Sequence, residues 1–145
     1  MARRYKLLVT DVDGTLLAGE GQISGENRAA VRELAERGVP VALCTGRSIM
    51  SCRSIIEQLE LQDHHHIFFD GALVTNLNGG EPVHSIHLTP DVVQTMVAFA
   101  EENGIDLELA AAHGSFSERE TWSARIKPVL FGHPVTVGPL SGIWE

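Results

Sequence analysis

The first half of the chain alternates short apolar runs with amphipathic segments, and no other feature restricts its folding as strongly. Residues 5–11 (Y-K-L-L-V-T-D) form an apolar run of strand formers, the pattern of a strand buried on both faces. Residues 39–43 (V-P-V-A-L) and 66–69 (H-I-F-F) read the same way. Between them, Ser24 is a candidate N-cap for a helix over 26–37, which places Ala30, Val31, Leu34 and Ala35 at helical spacing before Gly38 stops it. Ser48 opens a second helix, with Ile55, Ile56 and Leu59 on its inner face. Strand, helix, strand, helix, strand at this spacing predicts parallel strands joined by helical crossovers, a doubly wound α/β sheet.

The texture changes after Gly71. Two apolar segments, 72–75 and 82–88, flank N-L-N-G-G, a strong hairpin signal. Thr89 precedes a helix with Pro90 at its first position, for which Val92, Val93, Met96, Phe99 and Ala100 are expected to face inward and Gly104 to be the stop. Residues 105–111 read as a strand and 116–122 as a weaker one; the Gly/Pro-rich stretch 132–145 gives no pattern. The domain expectation is a core over 1–71 and a second α/β unit over 72–145.

The chemistry concentrates where the first two strands end. Asp11-Val12-Asp13-Gly14-Thr15-Leu16-Leu17 follows the first apolar run. Residues i and i+2 of an extended backbone point the same way, so Asp11 and Asp13 can converge on one pocket. Ligands of open parallel sheets bind past the carboxyl ends of the strands. Two carboxylates this close repel unless a cation lies between them, and a hard divalent ion, Mg²⁺ most simply, meets that need. One carboxylate can then attack phosphorus while the other exchanges protons with the leaving oxygen and with water. Gly14 lets the chain turn sharply. Thr45-Gly46-Arg47-Ser48 lies at the next strand end, where a hydroxyl, a glycine amide, a guanidinium and a helix start make an anion site. The candidate catalytic residues are therefore Asp11 and Asp13, which are also the candidate metal ligands. Thr45, Gly46 and Arg47 are the candidate phosphate binders.

The D-x-D-G-T-L-L run at 11–17 and the T-G-R at 45–47 resemble the first and second motifs of the haloacid dehalogenase superfamily, and more narrowly its Cof-type branch. That resemblance implies a Rossmann-like core with an α/β cap inserted after the third strand, here partial. It also implies Mg²⁺-dependent hydrolysis of small phosphate monoesters, sugar-phosphate-like, through an aspartyl-phosphate. By it Asp11 is nucleophile and metal ligand, Asp13 is the acid/base with its backbone carbonyl on Mg²⁺, and Thr45 anchors the phosphoryl group. Asp70-Gly71-Ala72 stands where the branch often has Asn-Gly-Ala. The family completes its site with a lysine and a Gly-Asp-x-x-Asn-Asp cluster after the cap; neither is matched in these residues, and Lys127 is not assigned the lysine's role. A catalytically incomplete relative that binds metal or phosphate is the alternative. A receiver-like domain, also doubly wound, is disfavoured because such domains carry their acceptor aspartate on a later strand.

Composition sets the remaining bounds. A formal net charge of −8 without a basic stripe disfavours nucleic acid as a partner. No apolar run approaches the roughly 18 residues of a membrane span, and Asp11 and Asp13 interrupt the N-terminal run before it reaches the length of a secretory signal. Cys44 and Cys52 are expected to be reduced thiols in a cytoplasmic protein. The run His64-His65-His66 is read as the approach to a strand, because adjacent side chains diverge. The expected ligand is a small phosphorylated metabolite. The apolar edge of the first strand is expected to associate with a second copy or a complementing chain, unless something else covers it.

Overall fold

The computed structural model describes residues 5–17, 22–61, 64–77 and 81–143, which fall in two compact units, Met1–Ile86 and His87–Glu145. In the first unit, β1 (Leu8–Thr10) pairs in parallel with β2 (Val41–Leu43), Leu8 opposite Val41 and Thr10 opposite Leu43. The third strand, β3 (His66–Phe68), continues the parallel set through a bridge between Cys44 and Ile67, where the Thr45 N–H donates to the Ile67 carbonyl at 3.0 Å. All three residues of β2 are buried, as the middle position requires. The histidine run does lead into this strand. His66 is buried and its Nδ1 accepts the Leu43 N–H at 3.0 Å, while His64 Nε2 donates to the Val41 carbonyl at 2.7 Å. Side chains here fill gaps in the main-chain ladder between β2 and β3.

The crossovers are α1 (Gly25–Glu36) and α2 (Ile49–Gln58). Ser24 Oγ accepts the Asn27 N–H at 3.1 Å and Ser48 Oγ the Ser51 N–H at 3.2 Å, so both serines cap as their positions suggest. On α2, Cys52, Ile55, Ile56 and the following Leu59 are buried, one stripe at three- and four-residue spacing. On α1 only Val31 is buried; Ala30 and Ala35 lie exposed on its flanks. Leu17 bridges Ile23 in antiparallel fashion, and residues 18–21 between them lie outside the described set.

After β3 the chain reverses through a tight turn, Phe69–Gly71, into β4 (Leu73–Thr75), antiparallel to β3, and then β5 (His84–Ser85), antiparallel to β4. The expected hairpin is therefore present, its tip at 78–80 lying outside the described residues. It extends the sheet of the first unit and buries Leu73 and Thr75 there, and the first compact unit runs to Ile86.

The second unit contains α3 (Pro90–Asn103), β6 (Glu108–Ala111), β7 (Gly114–Ser117), α4 (Trp122–Phe131) and β8 (Val135–Val137). β7 pairs antiparallel with β6 and parallel with β8. Gly104 ends α3 in the left-handed conformation at φ +63°. The inner face of α3 differs from expectation: Val97 and Ala100 are buried, whereas Val92, Met96 and Phe99 are exposed, Phe99 to 59%. The helix carries two apolar stripes one residue out of phase, and hydropathy alone does not choose between them. Trp122 opens α4 with Thr121 as its cap, so the weak strand expected to end there is instead β7. Beneath α4 lies a polar cluster. Ser115 Oγ and His133 Nε2 are 2.7 Å apart and both residues are buried, while Glu108 accepts from Lys127 and, at 2.8 Å, from Ser123 Oγ.

Candidate active site

Because β1 and β2 are parallel, the segments that follow them leave the sheet on the same side. Val12 anchors the first: its side chain is fully buried, and its carbonyl accepts the N–H groups of Leu16 and Leu17, each at 3.0 Å. With Val12 turned inward, Asp11 and Asp13 on either side of it are exposed. Gly14 then takes φ +77°, which few other residues tolerate.

The second segment begins at Thr45, which is buried; its Oγ1 accepts the Arg47 N–H at 3.2 Å and so shapes the turn into α2. Arg47 reaches back across the sheet end. Its Nε and Nη2 donate to the two carboxylate oxygens of Asp13 at 2.7 and 2.6 Å, a bidentate fork. Those hydrogen bonds hold the Asp13 carboxyl below its ordinary value, against partial burial that pushes it up, with the Arg47 charge adding to the lowering. Arg47 is raised in turn, chiefly by its hydrogen bond to Asp13, and the charge of Asp11 contributes as well, so Asp11 lies within electrostatic reach of the guanidinium. Asp11, Asp13 and Arg47 thus share one neighbourhood at the strand ends, and Thr45 and Gly46 form the turn beside it. Cys52 is buried on α2, and burial pushes its thiol up to about 12, so it stays protonated and inert. Lys127 is engaged with Glu108 in the second unit.

One side chain outside the candidate set also reaches this place. Phe69 and Asp70 both have positive φ, +51° and +54°, and Gly71 follows at +100°. Each non-glycine residue in this region costs on the order of 1–3 kcal/mol. The turn is held by donation from the Phe69 N–H to the Arg47 carbonyl and from the Asp70 N–H to the Thr45 carbonyl, both at 3.2 Å. It delivers the Asp70 carboxylate onto Gly46, where a Cβ would meet Asp70 Oδ1 at 2.9 Å. The D-G-A at 70–72 was the signal for this contact, but only folding shows which residue the carboxylate covers.

The donor chemistry fits a hard cation. Asp11 and Asp13 offer only oxygen, and Mg²⁺ keeps several waters while taking one or two carboxylates together with substrate phosphate. The Asp11 carboxylate and the Asp13 backbone carbonyl would meet that pattern, since the Asp13 carboxylate is taken by the Arg47 fork. No cluster of three or more His, Cys, Asp or Glu side chains occurs among the described residues.

Comparison with known proteins bears on the family. Over 56 residues the chain is 52% identical to a 5-amino-6-(5-phospho-D-ribitylamino)uracil phosphatase of Bacillus subtilis, covering 39% of this chain and 22% of that protein. It is 32% identical over 114 residues to a candidate phosphatase of Streptococcus pyogenes serotype M6, covering 77% of this chain and 42% of that one. A crystal structure of a haloacid dehalogenase-like hydrolase from Bacteroides thetaiotaomicron superposes with a TM-score of 0.81 at 21% identity, over 92% of this chain and 52% of that chain. The chain thus spans about half or less of the length of these proteins. The family model for haloacid dehalogenase-like hydrolases matches residues 8–131, and the chain belongs to that family.

Proposed function

We propose that this chain carries the phosphoryl-transfer site of a Mg²⁺-dependent phosphatase acting on small phosphate monoesters, sugar-phosphate-like in kind. The observation that supports it best is the fork from Arg47 to Asp13, which joins two motifs far apart in sequence at the carboxyl ends of two parallel strands. In this reading an Asp11 oxygen attacks phosphorus and the bond to the ester oxygen breaks. Asp13 gives that oxygen a proton, then takes one from the water that attacks the aspartyl-phosphate, and inorganic phosphate leaves as Asp11 is restored. Thr45, Gly46 and Arg47 hold the phosphoryl oxygens. Arg47 cannot direct the same two N–H groups at Asp13 and at a phosphoryl group, so substrate takes over the fork and releases Asp13 to accept a proton. Mg²⁺, which the Asp11 carboxylate and the Asp13 backbone carbonyl would hold, would neutralise charge on the transferring group. The phospho-ribityl substrate in the name of the Bacillus relative is itself a small phosphate monoester, which favours that substrate class.

The test is hydrolysis of p-nitrophenyl phosphate with and without Mg²⁺, comparing wild type with Asp11→Asn. Turnover that requires Mg²⁺ and is lost in the variant supports the enzyme. A second reading is a catalytically incomplete relative that binds phosphate or metal. Phosphate binding without turnover would establish it. Two further inferences accompany the main one. The edge of β1 that no strand covers among the described residues, where Leu8 and Val9 are exposed, pairs with a second copy or a complementing chain. Two free cysteines favour a cytoplasmic location.

A further inference from the structure

Asp70 has no part in the phosphoryl-transfer steps described above, yet the fold places its carboxylate at their edge. A strained turn holds it there, with Phe69 at φ +51° and Asp70 at φ +54°, tied by main-chain hydrogen bonds to Arg47 and Thr45. The carboxylate lies against Gly46, at 2.9 and 3.0 Å from where a Cβ would stand. Asp70 is exposed, and among the described residues no donor satisfies its oxygens. An acceptor beside the glycine that cradles a phosphoryl oxygen lies within a few bonds of phosphorus. Against a bare phosphate ester it is purely repulsive. Against an ester whose alcohol carries a hydroxyl or ammonium near the ester oxygen, it gains a charge-assisted hydrogen bond. Repulsion of one ligand class combined with attraction of another is how a site discriminates strongly.

Resting on the phosphatase reading for the position of the phosphoryl group, we propose that Asp70 is the specificity-determining residue of this site. It accepts a hydrogen bond from a donor on the leaving group and selects esters that carry one. The size-matched probes are ethyl phosphate, 2-hydroxyethyl phosphate and O-phosphoethanolamine. Glycine tolerates φ +54°, so Asp70→Gly removes the side chain without backbone strain, and Asp70→Asn removes only the charge.

Binding of the three esters is measured calorimetrically with Mg²⁺ to the Asp11→Asn protein and to Asp11→Asn/Asp70→Gly, and turnover is followed separately in the wild type. The expected result is a preference for the two donor-bearing esters on the order of tenfold or more, the size of one hydrogen bond to a charged group. In the Asp70→Gly background that preference collapses, while ethyl phosphate binds as well or better; Asp70→Asn falls between. A preference that survives Asp70→Gly, equal binding of all three esters by the parent, or binding of none overturns the inference. Donor-selective binding without wild-type turnover would leave Asp70's role intact and sink the phosphatase reading. Turnover without donor selectivity would do the reverse.

Discussion

Arg47 donates through Nε and Nη2 to Asp13 Oδ2 and Oδ1 at 2.7 and 2.6 Å, although the two residues stand 34 positions apart. Lysine in its place keeps the charge and loses the fork. The Asp13 side chain is 58% exposed, so Arg47→Lys should cost about 1 kcal/mol of stability or less. The same change should lower kcat/KM for p-nitrophenyl phosphate by roughly 10- to 100-fold, because a planar fork on a phosphoryl group is lost. Thermal denaturation alongside steady-state kinetics checks both halves. A collapse of Tm in parallel with activity would make Arg47 part of the scaffold instead.

Gly46 and Asp70 should behave as one unit. A methyl at residue 46 meets Asp70 Oδ1 at 2.9 Å, so Gly46→Ala must swing the exposed carboxylate aside. The far end of a side chain moves cheaply, and the loss of stability should stay within about 0.5 kcal/mol. Adding Asp70→Gly removes the obstruction and should restore most of that loss. Chemical denaturation of the two single variants and the double gives the coupling energy. Additive effects would show that the two residues do not touch.

The second unit should weaken in mild acid. Burial holds the His133 imidazole below its ordinary value of 6.5, and the nearby Lys127 charge pushes it further down while Glu108 opposes. The folded state then resists a proton that the unfolded chain accepts. Stability is complete above about 6.5 and falls as the pH drops toward the folded value. Glu108 adds a second loss at lower pH. Burial raises its carboxyl, but hydrogen bonds from Lys127, Ser115 and Ser123 outweigh this and leave it below its ordinary 4.5. In His133→Gln, which can still meet Ser115, Tm should change little between pH 7 and 5, whereas the wild type declines. Parallel Tm profiles in the two proteins would assign the acid sensitivity elsewhere.

The free edge of β1 should be sticky. Leu8 and Val9 are 40% and 46% exposed, and among the described residues β1 pairs only with β2. Sedimentation velocity over rising concentration should show growth in mass for the wild type and less for Val9→Lys, since a charge on an edge strand blocks pairing. Identical monomeric behaviour of both proteins would remove the pairing proposal.

Much of the first unit was legible because its strands are short runs of strand formers and its helices begin at serines that do cap them. But β1, expected to be buried on both faces, is exposed at Leu8 and Val9, since β2 is its only strand partner among the described residues. The meeting of Arg47 with Asp13 was legible only as adjacency of two strand ends; which residue the guanidinium would grasp depends on the buried anchor Val12, which turns both aspartates outward. The second unit was harder to read. Pro128 sits inside α4, where its ring normally argues against a helix, and β8 is a three-residue strand between Pro134 and Gly138. On α3 the stripes Val93–Val97–Ala100 and Val92–Met96–Phe99 are equally apolar, and only tertiary packing distinguishes them.

The turn at Phe69–Gly71 couples two parts of the chain that function alone would not connect. Its amides grip the carbonyls of Thr45 and Arg47, while its far side opens straight into the β3–β4 ladder. The segment Thr45–Arg47 is therefore anchored by a hairpin that contributes no reactive group. Shortening or loosening that hairpin should displace those residues as surely as a substitution among them, and a survey confined to ligand-contacting positions would never find the cause.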